Sequence, residues 1–343
     1  MDARITKKRL GVMLSYDWIK IIAFAAAVIL FWTFMFSWTA TKLTAAQEFT
    51  IFSYRGTYVG EAFTTSSAKL KKEGVFSYDI QKVSAQDITL GGSEMEQVME
   101  ARLSTGEGDV AFVPDTLEGV SETLKFKAED GTEYTPTYLE QFVNRYVSSI
   151  AELADETKGL LARTKAYLDP LYGGNATADA VMDEAAVEKE FRARIKRLKD
   201  KRFKKQSEIK AGLEQEKARV RMIFENYHEF TGYLADGTVE FVHVDVCLWD
   251  MDGNAHTRSG KYAINISPNK DSRVRELAYY YRKDVETDEL GVEHEHDVPT
   301  SENMTLVVLD AFHGDYAKYG YGIFETLSYV NYIVRNYTMQ DYK

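Results

Sequence analysis

Cysteine is nearly absent from this chain: the 343 residues hold one, Cys247. No internal disulfide can form, so the fold rests on packing alone, and a small disulfide-stapled secreted domain is excluded. Reaction signatures are missing as well. Neither Gly-x-Ser-x-Gly, nor a phosphate-cradling Gly-rich loop ending in Lys-Ser/Thr, nor His-Glu-x-x-His occurs, which removes the sequence basis for the corresponding chemistries. Positive charge is in the minority, 42 Lys and Arg against 53 Asp and Glu, for a net charge of −11. Such a balance lacks the electrostatic footprint of a nucleic-acid binder. With that many carboxylates, close pairs arise by chance and mark no catalytic centre. The expectation is a non-enzymatic protein without cofactor, metal or nucleic-acid partner.

What is present begins with residues 21–40, twenty positions without a charge. As a helix rising about 1.5 Å per residue they reach roughly 30 Å, the hydrocarbon thickness of a bilayer. Arg4, Lys7, Lys8, Arg9 and Lys20 precede the run, while residues 41–60 hold only Lys42 and Arg55. The positive-inside rule therefore puts residues 1–20 in the cytoplasm and everything beyond the 21–41 span outside the cell. Trp18, Lys20 and Trp38 stand where indole and ammonium groups suit the lipid–water boundary. A cleaved signal peptide would carry a shorter apolar region and a better cleavage site than Thr44-Ala45-Ala46.

The outer part opens with strand and helix in alternation over residues 45–136. Phe49–Tyr54 is β-rich, Thr64–Glu73 helical, and Val75–Ile88 contains an extended segment with Phe76, Tyr78, Ile80 and Val83 alternating. Gly91-Gly92-Ser93 opens a helix with Ser93 as cap and Glu96 at its capping-box position. Val110–Val113 is a short buried strand. This β-α-β-α-β order implies a parallel sheet covered by helices. Residues 137–232 change period: Tyr138–Leu168 and about Asp179–Thr231 repeat apolar groups at helical spacing, separated by Pro170 and Gly173-Gly174. Two long helices in an antiparallel hairpin are expected, with Gly212 a place to bend. β-structure returns in residues 237–336: Val239–Trp249 pairs with Lys261–Ile266 through an Asp250–Asn254 turn. Arg273–Arg282 reads as short helix, Leu290–Asn303 as loop, Met304–Asp310 as strand and Gly322–Asn336 as helix.

If parallel strands hold a ligand at their carboxyl ends, the candidate residues are Tyr54, Arg55, Gly92, Ser93, Asp115 and Thr116. Free N–H groups at the Ser93 helix start and the Arg55 charge suit an anion; ordinary turns and a cap explain the same residues. His294 and His296, two apart in Glu293–Asp297, fix no zinc geometry. Asp250-Met-Asp-Gly-Asn is no EF-hand, because its twelfth position is Lys261. Residues 188–221 carry fourteen Lys and Arg against six Asp and Glu. Arg194, Arg197, Lys201 and Lys205 there are candidates for contact with an anionic envelope or protein partner, a solvated helix face being the plainer explanation.

The basic tail and aromatic-rich anchor (Tyr16-Asp17-Trp18 into Ile19–Ile22), the strand Phe49–Tyr54 and the segment Gly108-Asp109–Asp115 resemble the membrane-anchored members of the type 2 periplasmic-binding-protein-like superfamily of Gram-positive bacteria. Lys261–Ser267 and Thr305–Arg335 are similar to its returning strand, last strand and final helix. The resemblance spans about half of the outer part. It implies an α/β solute-binding domain carrying the helical hairpin as an insertion, a small solute as ligand, and a membrane permease as neighbour.

Overall fold

Alternation in the first strand sends Phe49 and Ile51 to one side of a sheet and Phe52 and Tyr54 to the other, all buried. A strand covered on both faces reads this way. The computed structural model describes residues 7–39, 43, 47–65, 67–88, 92–105, 107–269, 272–288, 290–309 and 324–342, without the side chains of 7–10, 12–17, 37–39, 67 and 92–95. Ala40–Lys42, Gly91, Asp310 and Gly322 lie outside these limits, as do the side chains of Ser93 and Trp38.

The chain divides into two units, residues 1–42 and 43–343. The first contains helix α1, Lys7–Thr39. Its segment Trp18–Phe36 is long and apolar enough to cross a membrane.

In the second unit the strands are β1 Glu48–Ser53, β2 Tyr58–Val59, β3 Lys82–Asp87, β4 Val110–Pro114, β5 Phe126–Lys127, β6 Glu133–Tyr134, β7 Glu240–Trp249, β8 Ala255–Ser267, β9 Ala278–Thr287, β10 Glu293–Thr300 and β11 Met304–Val308. The helices are α2 Ser67–Lys72, α3 Gly92–Ser104, α4 Tyr138–Tyr146, α5 Leu160–Leu168, α6 Glu184–Leu198, α7 Gln206–Ala235 and α8 Phe324–Ile333. A six-stranded sheet runs in the order β3-β1-β4-β11-β8-β7. β3, β1 and β4 are parallel, as the alternation implied. β11 enters antiparallel between β4 and β8. Two reversals return β8 to the direction of β4, and β7 closes the edge as the expected hairpin partner of β8.

Helices cover both faces. Met99 and Leu103 of α3 and Leu139, Phe142 and Val143 of α4 pack on Phe52, Ala111, Val113 and Val307. On the other face Leu70 of α2, Phe230 of α7 and Leu327, Val330 and Ile333 of α8 pack on Ile51, Phe112, Ile264 and Leu306. Each such side chain contributes about 1.5–3 kcal/mol by leaving water. The result is a mixed α/β fold of three layers.

The expected pair of long helices is corrected to four shorter ones. Between α4 and α5 the chain leaves helical geometry to join the sheet: Ile150 bridges Leu309, Ala151 donates to the Val308 carbonyl and Leu153 to that of Lys261. Between α6 and α7, Lys199 takes a left-handed conformation at φ 52° and the Asp200 carboxylate accepts from the Arg202 amide. Such a side chain offers the backbone an alternative to helix. The helices joined as a hairpin are α6 and α7, connected by this turn and not by Pro170 and Gly173-Gly174. Helix α7 is continuous through Gly212. A Cβ there would stand 2.4 Å from the Phe203 ring and 2.9 Å from that of Phe191, so the glycine serves close packing. Nor do residues 137–232 form a separate unit, since α4 and α7 each supply a wall of the core.

Two further expectations fail in residues 237–336. Arg273–Arg282 begins with a 3₁₀ turn, Arg273–Glu276, but continues as β9. Leu290–Asn303 contains β10, paired with β9 in register from Glu293–Thr287 to Thr300–Tyr280. Charges on both faces of this exposed hairpin leave no apolar period to detect. Its turn, Asp288-x-x-Gly291-x-x-His294, repeats the spelling of the β7–β8 turn, Asp250-x-x-Gly253-x-x-His256. In both, the Asp carboxylate accepts two backbone N–H groups and contacts the His Nε2, at 3.0 Å and 3.1 Å respectively.

α6, α7 and α8 meet through a chain of buried charges. Arg194 donates to both oxygens of Glu216 at 2.9 and 2.6 Å. Arg219 bonds Glu325 at 2.7 Å and Glu216 at 3.2 Å. Tyr78, Ser77 and Tyr167 add hydroxyl contacts at 2.7, 2.9 and 3.0 Å. Arg219 is 1% exposed and Glu325 1%. Burial alone would push the Glu216 carboxyl up, but Arg194 and Arg219 outweigh it and hold the group at about 2. Replacing Arg219 by Met leaves buried carboxylates short of a partner, and urea denaturation should show a loss of about 3–5 kcal/mol. Because the Glu216 value lies below its ordinary 4.5, its contribution is complete above that pH and is lost as pH falls toward 2.

Asp109 titrates in the opposite sense. Its carboxyl accepts from the Thr50 amide at 2.7 Å, yet burial dominates and raises it to about 8. The protonated form is favoured in the fold, so the stability it contributes is full below about pH 4 and declines as pH rises through 8. Denaturation midpoints at pH 6 and pH 9 should differ in the native chain, and less so in Asp109→Asn.

Candidate functional site

The connection leaving β1 leads to β3 on one side, and the next connection crosses to β4 on the other. Strand order therefore reverses at β1, and the crevice outside its carboxyl end is where open α/β sheets receive ligands. The loops there are Tyr54–Thr57 after β1 and Asp115–Gly119 after β4.

Of the ligand candidates singled out from the sequence, Tyr54, Arg55, Asp115 and Thr116 lie in these two loops and are engaged by the protein itself, while the Ser93 side chain lies outside the described residues. Tyr54 is 2% exposed, its ring edge-on to Phe142 at 4.8 Å and Tyr146 at 6.3 Å. Burial raises its phenol far above the ordinary range. It packs α4 onto the sheet and does not line a cleft. Arg55 pairs with Glu96 of α3 at 2.9 Å, and Arg145 of α4 pairs with the same carboxylate. The charge offered to an anion is thus met by Glu96, the residue expected at the capping-box position of α3. Gly92 begins α3. Asp115 is half-buried, which raises its carboxyl against a hydrogen bond from Thr137, and its amide donates to the Asn303 carbonyl at 3.0 Å. Thr116 accepts from the Glu118 amide through its hydroxyl at 3.1 Å and from the Tyr138 amide through its carbonyl at 3.2 Å.

One step further along both loops a cleft of about 370 Å³ opens. Gly56, Thr57 and Tyr58 come from the first loop and β2, Glu118 and Gly119 from the second, and Tyr138 from the start of α4. Tyr280, Tyr281 and Lys283 of β9 and Asp297 of β10 complete it. Sequence reasoning reached the two loops but missed the tyrosine wall. The available signal was the run Tyr279-Tyr280-Tyr281, concealed by its reading as helix.

The wall is an aromatic cluster on the β2–β9 ribbon. Tyr58 stacks on Tyr279 at 5.7 Å and meets Tyr281 edge-on at 4.9 Å. Tyr58 and Tyr281 remain 46% and 40% exposed, so part of each ring is accessible to a ligand. Lys283 stands opposite Asp297 in the hairpin register and bonds Glu295 at 3.0 Å. Among the described residues the lining holds no histidine, cysteine or serine. Flat rings, phenol hydroxyls, one ammonium and two carboxylates suit recognition of a neutral or weakly charged polar molecule.

The basic candidates divide by exposure. Arg194 is buried on Glu216 and is withdrawn from any outside partner, a correction of the expected role. Arg197, 4.0 Å from Glu190, is exposed, as are Lys201 and Lys205. In α1, Trp18 is 51% exposed and Lys20 is exposed. Among the described residues no group of three or more His, Cys, Asp or Glu side chains is placed to hold a metal.

The cleft depends on a glycine. Gly56 sits at φ 82°, and a Cβ there would fall 2.4 Å from the Tyr138 ring. Gly56→Ala is expected to cost about 1–3 kcal/mol in chemical denaturation through strain and overpacking. It should also displace Tyr138, read as a change in tyrosine fluorescence. No protein-family model, curated protein or solved structure matches the chain.

Proposed function

We propose that this chain is a single-pass membrane protein with a cytoplasmic N-terminus, whose external α/β domain is a non-catalytic binding module for a small polar solute. The tyrosine cleft outside the carboxyl ends of β1 and β4, where strand order reverses, carries this proposal. The basic residues before the apolar helix support the orientation. The resemblance to membrane-anchored type 2 periplasmic-binding-protein-like proteins makes a transport permease the natural neighbour. The sheet covered by helices on both faces, with an antiparallel strand beside β4, accords with a binding scaffold.

A second arrangement has one observation in its favour. Lys199, Lys201, Lys204 and Lys205 lie exposed on the turn between α6 and α7, a patch suited to an anionic envelope polymer. In that case the domain is a surface scaffold and the cleft is incidental.

Thermal unfolding of the full-length protein in detergent against a panel of small polar metabolites separates the two. A true ligand at a hundred times its Kd adds about 2.7 kcal/mol, and Tyr58→Ala with Tyr281→Ala should abolish that gain. Stabilisation untouched by these exchanges, or no response across the panel, overturns the solute proposal. Loss of envelope association on replacing the four turn lysines by Glu would then favour the scaffold. Protease added to intact cells should remove the domain beyond α1; full protection refutes the orientation.

A further inference from the structure

A second and larger cavity, of about 1000 Å³, shares only Tyr281 with the tyrosine cleft. Two arginines of the 3₁₀ turn after β8 line it, and they differ in how they are used. Arg273 is spent within the protein, its Nε and Nη2 donating to the two oxygens of Glu276 at 2.6 and 2.9 Å. Arg275 has no carboxylate partner among the described residues. Its Nη1 donates to the Pro299 carbonyl at 3.1 Å. The Tyr342 ring lies 3.5 Å from its guanidinium carbon, covering one face. Its Nε is buried without a hydrogen-bond partner.

An arginine held by stacking and one carbonyl at the wall of a cavity, with no ion pair to a described carboxylate, is available to receive a carboxylate from outside. The surroundings narrow the class. Glu61 and Asp341 also line the cavity and are exposed, so a multiply charged anion meets repulsion that a singly charged one largely escapes. Tyr279, Tyr281 and Pro299 supply apolar wall, and the volume exceeds what a bare inorganic anion needs. We propose that this cavity binds a small organic monocarboxylate, its charged end on Arg275 and its body against Tyr279, Tyr281 and Pro299. The site is separate from the tyrosine cleft except for Tyr281, which lines both.

The probes are 4-hydroxyphenylacetate and its neutral amide, each titrated into the full-length protein in detergent with saturation-transfer NMR as readout. The acid should bind at least about tenfold more tightly than the amide. Arg275→Gln should erase that preference while leaving amide binding unchanged. Tyr342→Ala, on an exposed ring, should weaken the acid several-fold and keeps the test decisive should Arg275→Gln fail to fold. Lys283→Ala, in the neighbouring cleft, should change nothing. Equal binding of acid and amide, no transfer from either up to millimolar concentration, or an acid affinity indifferent to Arg275→Gln and Tyr342→Ala overturns the proposal. Loss of acid binding in Lys283→Ala assigns the carboxylate to the tyrosine cleft and overturns it equally.

Discussion

Arg219, nearly sealed from solvent and bonded to both Glu216 and Glu325, is the interaction on which the outer domain turns. A guanidinium cannot shed its charge, so burying it obliges the fold to bring carboxylates to it and keep them there. Those carboxylates come from the same helix three residues away and from α8, 106 positions along the chain. Tyr78 and Ser77 close the network from the segment before β3. The helical middle of the chain is thereby fastened to the first and last parts of the α/β unit. This is the physical reason that residues 137–232 are part of the core and not a detachable insertion.

The same economy explains the loss of the expected anion site. Arg55 was the full positive charge nearest the carboxyl end of β1, but Glu96, which also binds Arg145, draws it into a surface cluster that seats α3 and α4 against each other. With Tyr54 buried beneath α4, the floor of the crevice is structural. The open cleft lies one or two residues further along each loop, at Gly56–Tyr58 and Glu118-Gly119, and is closed across by β9. Arg273 and Arg275 repeat the contrast at the second cavity, one neutralised by Glu276 and one not.

Legibility followed the range of the forces involved. β1, α3, β4, the β7–β8 hairpin, β11 and the core of α8 were readable because their apolar period is local and strong. β10 was not, since Glu293–Asp297 is charged on both faces and is held by its turn and its register with β9. The breaks after α4 and α6 were hidden because the apolar spacing continues through them. There the chain prefers sheet edges at Ile150–Leu153 and an Asp200 turn locked by Arg202 on Asp79 at 2.6 Å. Of the candidate site, the loops were visible and the tyrosine wall was not.

Composition and short-range pattern alone settled the uncharged apolar helix near the start, the alternation of strand and helix after it, and the dependence on packing without disulfides, because each follows from how neighbouring side chains partition between water and apolar surroundings. Tertiary structure decided that β11 runs antiparallel between β4 and β8, that Arg194 alone of the four basic candidates is turned inward, and where two cavities open beside the β2–β9 ribbon. Those outcomes depend on partners brought together from more than a hundred residues apart, and no local period records which distant group a buried charge or an exposed ring will meet.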